Sequence, residues 1–389
     1  MASFPAVTTN IYLPALPDLT QSLRGTMAQG QATVAVYLVG LACGQLIYGP
    51  WSDRVGRRPP LLIGVAIYLL ASMGCANVTT MNGMIALRFL QAVGACSGLL
   101  ISMAVVRDRF DRQASARILS LLLTIRSVGP IVAPLIGGVI MTWLGWRAIF
   151  WAVVLFGAVL GSAAYFGLEE SRTELVAARA RSESPIAAYA AILKNPRILG
   201  YMLTGGLNFC CLFAWIVSAP YLVIGLYKVP ALYFSLIFAS ISAGVMIGAY
   251  LNRRLLESYH SDRILSCAAL GAATAAAVLL VDALTHFGAL PGILLPLFAV
   301  TASLGLVSTN ATAGGLAADP ARAGAASALF GASQFAAGGL TAMAAAHLSS
   351  QPALAMAALI MICSTGALIF PLRLLGSRRR SWQPSPPFR

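Results

Sequence analysis

Apolar runs long enough to cross a bilayer recur along almost the whole chain, punctuated by short polar or charged stretches. They fall at 3–17, 31–50, 60–77, 83–105, 118–142 and 147–168, then at 198–222, 231–252, 264–284, 291–316, 324–348 and 352–374. A helix rising 1.5 Å per residue needs roughly 20 residues to span about 30 Å of hydrocarbon, and most of the runs reach that length. None shows the alternation of a transmembrane barrel strand, and lipid leaves unpaired backbone groups without partners, so each run is expected to be a helix. The pattern predicts an all-α integral membrane protein of 12 transmembrane helices in two six-helix halves. Residues 1–168 form the first half, 169–197 a polar cytoplasmic linker with a short surface helix, 198–374 the second half, and 375–389 a basic cytoplasmic tail. The first run is the short one: Ser3 to Pro17 gives about 23 Å at 1.5 Å per residue.

Composition agrees with this pattern and narrows the function. Of 389 residues, 59% are hydrophobic and 10% charged, where soluble domains carry about 25% charged residues. Of the 26 Lys and Arg residues, 21 lie in connections on the side of the two termini and three (Arg24, Arg147 and Lys228) on the other. Cytoplasmic loops retain positive charge, so both termini are expected inside. The net charge of +14 then reflects topology and attraction to anionic headgroups rather than a nucleic-acid partner. His260, His286 and His347 have no partner at metal-ligand spacing, and the seven cysteines sit in apolar runs, so neither a metal site nor a disulfide framework is expected. An enzyme would need a clustered nucleophile, base or metal set, and none is present.

Charge concentrates at "GPWSDRVGRRPPLL", residues 49–62, between the second and third runs. A topogenic loop accounts for the arginines there. It leaves unexplained Asp53, which suits pairing or capping, Gly49, which suits close helix approach, and Gly56, which suits a tight turn. Two arginines lie inside runs, where ionisable groups are costly and mark function by default: Arg88 on the fourth run and Arg126 on the fifth. Arg126 either faces a cavity, favouring anionic or zwitterionic groups, or pairs internally. No acid lies at the midpoint of a run. Asp18 and Asp282 lie near run ends, and Asp18, after "LPALP", is the better proton-carrier candidate. Polar and aromatic residues in apolar surroundings suggest a loosely specific cavity lined by Asn10, Tyr12, Arg126, Asn208, Phe209, Trp215, Tyr233, Asn310 and Gln334. Packing and the interfacial belt compete for the aromatics, and Trp143, Trp146 and Trp151 are expected in that belt.

Several motifs in order carry a family resemblance. "GPWSDRVGRR" is similar to the loop signature of the major facilitator superfamily, "RFLQAVGA" (88–95) resembles its fourth-helix motif with Ala92 in place of glycine, and "VGPIVAPLIGGVI" (128–140) resembles its drug–proton antiporter signature. "NIYLPALPDL", "VVRDRF", "GWRAIFW", "STNATAG" and "AGAASALFGASQF" resemble the bicyclomycin and chloramphenicol resistance (Bcr/CflA) branch. The resemblance implies a monomeric efflux transporter of the bacterial cytoplasmic membrane, exchanging small-molecule drugs or metabolites for protons with no cofactor. It implies inner-gate charge pairs at Gly49, Asp53, Arg54, Gly56, Arg57 and Arg58, proton coupling at Arg88, and an outer seal at Gly129, Pro130, Pro134, Gly137 and Gly138. Relatives carry an acid where this chain has Asn10, which cannot titrate near neutral pH. The lack of a midplane acid favours neutral or zwitterionic substrates. An importer of the same fold, which usually lacks the glycine-proline signature, and a non-transporting membrane protein are the alternatives.

Overall fold

The computed structural model describes the chain except for residues 173, 175–183, 320–321, 349–350 and 382–389. Among the described residues every regular element is helical. The first spanning position is broken into α1 (Phe4–Asn10), a 3-10 turn (Leu13–Ala15) and α2 (Leu16–Ser22). Pro14 and Pro17, which lack a backbone donor, sit in the first turns of the second and third pieces. Helical chain thus continues past Pro17, the expected boundary, to Ser22. Thr20 can continue inward because its hydroxyl bonds back to the Leu16 carbonyl at 2.7 Å.

Long helices follow: α3 (Met27–Val55), α4 (Arg58–Asn77), α5 (Met81–Arg109), α6 (Arg112–Leu144) and α7 (Trp146–Gly167). Their starts carry local signals. Thr26 and Gln29 form a reciprocal capping box on α3, and Thr80 and Asp111 cap α5 and α6 through their side-chain oxygens. A short linker helix, α8 (Pro185–Leu193), leads into α9 (Pro196–Ala219), which runs on as a π-helical turn (Pro220–Leu226). The second half is completed by α10 (Ala231–Leu255), α11 (Ser261–Thr285), α12 (Ala289–Ala317), α13 (Ala323–His347) and α14 (Pro352–Ser381). Ten of these segments are long and apolar enough to cross a membrane. The other two spanning positions are the broken first helix and α13, which is rich in alanine and glycine.

Small residues set the helix spacing. A Cβ on Gly94 would lie 2.6 Å from the Gly64 carbonyl oxygen, and one on Gly248 would lie 1.9 Å from that of Ala302, so α5 meets α4 and α10 meets α12 backbone to backbone. The halves meet along α3 with α13 and α6 with α10. Away from the linker, at what we call the far end, the Thr20 and Tyr221 hydroxyls are 2.8 Å apart across the halves, and Gly138 abuts Ser235. Toward the linker end the α3–α13 contact includes Gln45 against Gly331. On α6, Leu121, Ile125, Val128, Val132, Ile136 and Val139 form an exposed apolar stripe, while Gln113, Arg117, Thr124 and Ser127 expose a separate polar face on the linker-side half of the helix.

Candidate functional site

The charged loop between α3 and α4 folds into a compact hub. Gly56 ends α3 at φ +115°, a conformation that disfavours any side chain, and a Cβ there would strike the Glu170 carboxylate at 2.5 Å. Arg57, almost fully buried, donates to Asp108 Oδ2 at 2.8 Å and to Ser52 Oγ at 2.9 Å, and pairs with Asp53. Burial alone would lower the Arg57 pKa, but the Asp108 and Asp53 carboxylates outweigh it and hold the guanidinium above its ordinary value. Glu170, just beyond α7, accepts from the backbone N–H groups of Arg57 (2.8 Å), Arg58 (3.1 Å), Ser171 (3.0 Å) and Arg172 (2.9 Å). Partial burial would raise its carboxyl pKa, but these donors draw it below the usual value. Arg58 donates to the Tyr165 carbonyl at 2.8 Å, and Arg172 to that of Arg54. These bonds tie together α3, α4, α5 and the end of α7, all within the first half. The linker helix approaches through Tyr189 of α8: burial, and then the Asp53 carboxylate, push its phenol pKa up.

The expected gate residues therefore divide. Asp53, Gly56, Arg57 and Arg58 meet in the hub, Arg54 contributes its carbonyl, and Gly49 stands apart. A Cβ on Gly49 would meet nothing within 4 Å, so close helix approach is not its role in this arrangement. Sequence reasoning missed Asp108 and Glu170, although Asp108 lies within "VVRDRF".

Deeper in the first half, Arg88 is fully enclosed. Its guanidinium lies between the Tyr12 and Tyr37 rings, 4.1 and 4.2 Å from their centroids. Its bonds run to Gln91 Oε1 at 2.6 Å and, at 3.4–3.5 Å, to the Thr8 carbonyl, while Nε has no partner. Gln91 is oriented by donating to Ser72 at 2.8 Å, and Thr8 shares a 2.7 Å bond with Tyr68. Among the described residues, Arg88 meets neutral acceptors and π faces and no carboxylate. Each desolvated cation–π contact is worth about 2 kcal/mol, which offsets part of the cost of burying the charge. Asn10 donates to the Ala6 carbonyl at 2.6 Å and leaves its buried Oδ1 unpartnered, as does Gln31 its Oε1. Asp18 is exposed in the first turn of α2, near the far end.

The second half has its own unpartnered set. Thr204, Asn208 and Trp215 are each about 1% exposed and share one face of α9 by their spacing. The Thr204 hydroxyl, both ends of the Asn208 amide and the Trp215 N–H have no hydrogen-bond partner among the described residues. Phe209 packs edge-on against Phe335 at 5.8 Å, and Gln334 is half-buried on α13, facing Gly205.

Other expected cavity residues lie elsewhere. Tyr233 is 60% exposed near the start of α10, on the face turned from the core. Asn310 sits toward the linker end, donating to Asn252 Oδ1 at 2.6 Å and accepting from Ser261 Oγ at 2.7 Å, so its amide is satisfied by structure. Arg126 is half-buried, beside Cys96 of α5, and makes no hydrogen bond or ion pair among the described residues. Of the three tryptophans expected in the belt, Trp143 is 81% exposed, Trp151 is also exposed, and Trp146 is buried against Phe150 with Arg147 over its ring. The glycine-proline signature on α6 splits by direction. Gly129 and Gly137 press on α1 and its exit, where a Cβ would come 3.2 Å from Ala6 Cβ and 1.8 Å from the Ile11 carbonyl oxygen. Gly138 presses on Ser235 of the other half, with Pro130 and Pro134 inside the same helix.

Residues 2–343 match the sequence profile described as Major Facilitator Superfamily. The chain belongs to that superfamily. It is a multi-pass membrane transporter of small molecules, not an enzyme, and relatives named for bicyclomycin and chloramphenicol resistance are consistent with the Bcr/CflA branch. It is 36% identical to a chloramphenicol resistance protein of Pseudomonas aeruginosa over 287 residues, covering 73% of this chain and 66% of that one. It is 27% identical to a bicyclomycin resistance protein homolog of Haemophilus influenzae over 340 residues, covering 87% and 85%. In fold, this facilitator superposes on the xylose transporter XylE from E. coli, described as partially occluded and inward open, with a TM-score of 0.72 over 96% of this chain and 95% of that one at 14% identity. The twelve-helix architecture expected from the apolar runs is that of the superfamily.

Proposed function

We propose that this facilitator exports small amphipathic, neutral or zwitterionic compounds across the bacterial inner membrane in exchange for protons, as a monomer with both termini in the cytoplasm. The observation that carries the reading is the concentration of unpartnered buried polar atoms on α1, α3, α5 and α9, inside an otherwise apolar interior. Each unsatisfied buried group costs about 1–3 kcal/mol, and a bound compound or water that supplies its partner recovers that cost. Aromatic surface from Phe209, Phe335 and Trp215 supplies adaptable apolar area beside these groups. The two halves rock about this midplane region. In the arrangement described, the far end is held by Thr20–Tyr221 and Gly138–Ser235, and the linker end takes substrate from the cytoplasm. The Arg57 hub engages the other half when that end closes. Asp18, exposed at the far end, is positioned to take protons from outside, and Arg88 supports coupling by its charge.

The test uses everted vesicles from cells producing the chain, energised by respiration, with internal pH followed as neutral, zwitterionic and cationic compounds are added. Compound-dependent proton release that Asp53→Ala abolishes is expected. The absence of any response, with the protein confirmed in the membrane, counts against proton-driven export.

A further inference from the structure

We infer that compounds enter this facilitator sideways from the inner leaflet, through a port between the linker-side halves of α6 and α10. The inference rests on the export reading and adds to its cytoplasmic mouth an entry route for amphipathic compounds dissolved in lipid.

The helix α6 has three faces. Gly137 turns toward the exit of α1 in its own half, the stripe from Leu121 to Val139 is apolar and exposed, and Gly138 meets Ser235 of α10. At about 100° per residue, Ser127, Thr124, Arg117 and Gln113 project within roughly 60° of Gly138. The polar face is therefore the linker-side continuation of the face that touches the second half. Burial fades along it: Gly138 and Pro134 are buried, Ile131 is half-buried, and the four polar residues are exposed. The facing stripe of α10 shows the same gradient. From Ser235 onward, Ala239 and Ser242 are buried, Met246 is half-buried, and Ala249 and Arg253 are exposed. Two facing stripes that both lose cover toward the linker end belong to helices that part there.

The other seam between the halves stays shut at the same depth. Gly339 abuts Val39 and Gly331 abuts Gln45, which is buried. At 1.5 Å per residue, Gly331 and Ser127 both lie roughly 25 Å from the far ends of their helices. The gap is thus one-sided. Its lip adjoins lipid, because the apolar stripe of α6 borders the polar face directly.

Hydroxyl and amide groups at this depth are costly against bare hydrocarbon and call for water or a polar solute. A compound with a polar end and an apolar body fits the boundary, its polar end on Gln113, Thr124 and Ser127 and its body beside Leu121, Ile125 and Val128. Arg117 and Arg253, one on each lip near a helix end, reach headgroup depth, where guanidinium pairs with lipid phosphate and fixes the lip at the leaflet surface. Neutral and zwitterionic compounds pass such a lip without needing a counter-charge.

The test places the full chain in lipid nanodiscs with bimane on Thr124→Cys or Ile125→Cys. Cys43 and Cys267 are changed to Ser, since the other five cysteines are buried. Phosphatidylcholine brominated on its acyl chains should quench both labels to within about twofold of each other, whereas aqueous iodide should quench Thr124→Cys several-fold more than Ile125→Cys. In everted vesicles, export of the neutral amphipath N-octyl-2-naphthamide should fall roughly fivefold in Thr124→Val, Ser127→Ala and be unchanged in Ile125→Leu. Quenching of Thr124→Cys by iodide alone means a mouth sealed from lipid, and quenching by brominated lipid alone means an ordinary lipid-facing surface. Either overturns the port and leaves export standing, as does amide export that the double variant does not alter. Quenching by both without any export of the amide supports the port and counts against the export reading.

Discussion

Two adjacent glycines on α6 should separate the stability of one half from the balance between conformations. Gly137 faces the Ile11 carbonyl oxygen of its own half, whereas Gly138 faces Ser235 Oγ and the Ala231 carbonyl oxygen of the other, at 2.3 and 3.3 Å from a hypothetical Cβ. In Gly138→Ala the added methyl overlaps a group that it meets only while the far end is closed. Overpacking of this kind costs typically about 1–3 kcal/mol, and at about 1.4 kcal/mol per factor of ten the far-end-closed population should fall roughly 5- to 150-fold relative to its alternative. The readout is the crosslinking rate of a Thr20→Cys, Tyr221→Cys pair, whose parent hydroxyls are 2.8 Å apart in this arrangement. Gly137→Ala places its methyl 1.8 Å from backbone that cannot swing away, so it should lower the melting temperature and leave the crosslinking rate of the folded fraction unchanged. Equal crosslinking in Gly138→Ala and its parent would refute the assignment of this contact to the gate between the halves.

Other outcomes follow from the hub and the unpartnered amide. Asp108→Ala should destabilise the protein by about 2 kcal/mol, because a buried guanidinium loses a charged acceptor. Asp53→Ala should cost less, since that carboxylate is 43% exposed; thermal unfolding in detergent ranks the two. Glu170 has its pKa depressed from 4.5 in the folded chain, so its contribution is present above about 4.5 and lost as pH falls through the lower folded value. Hydrogen exchange at the Arg57, Arg58 and Arg172 amides, corrected for intrinsic rates, should rise on that acid side and, at neutral pH, in Glu170→Gln. Asn208→Leu should raise the melting temperature of the empty protein by removing an unsatisfied amide while weakening compound binding. Binding titration and unfolding on the same preparation would check both signs.

Much of the architecture was legible because lipid demands uninterrupted apolar length, and that demand is written locally. α5 starts where Thr80 precedes the apolar run, and α6 where Asp111 does. Local hydropathy cut the first helix short because Asp18 and Thr20 read as polar, whereas Asp18 rides exposed on the helix and the Thr20 hydroxyl is satisfied by the Leu16 carbonyl and by Tyr221, far along the chain. The hub illustrates the same limit. Arg57 was legible as a charge, but Asp108 and Glu170 lie 51 and 113 residues away, and only the folded helices bring them to it. Asn310 looked like cavity lining because an amide in an apolar run needs a partner. Its partners, Asn252 and Ser261, lie on two other helices, which composition does not reveal. Asn208 met the same description and has no partner, so the distinction belongs to packing.

The four backbone bonds accepted by Glu170 also decide where the tether between the halves begins. They fasten the chain through Arg172 to the loop between α3 and α4, and Ile192, fully buried on the linker helix, fastens the other end to the second half. Loss of Glu170 would therefore release the chain at Arg172 from the first half while Ile192 still holds it to the second, so one carboxylate serves both as the loop's hydrogen-bond acceptor and as a mooring between the halves.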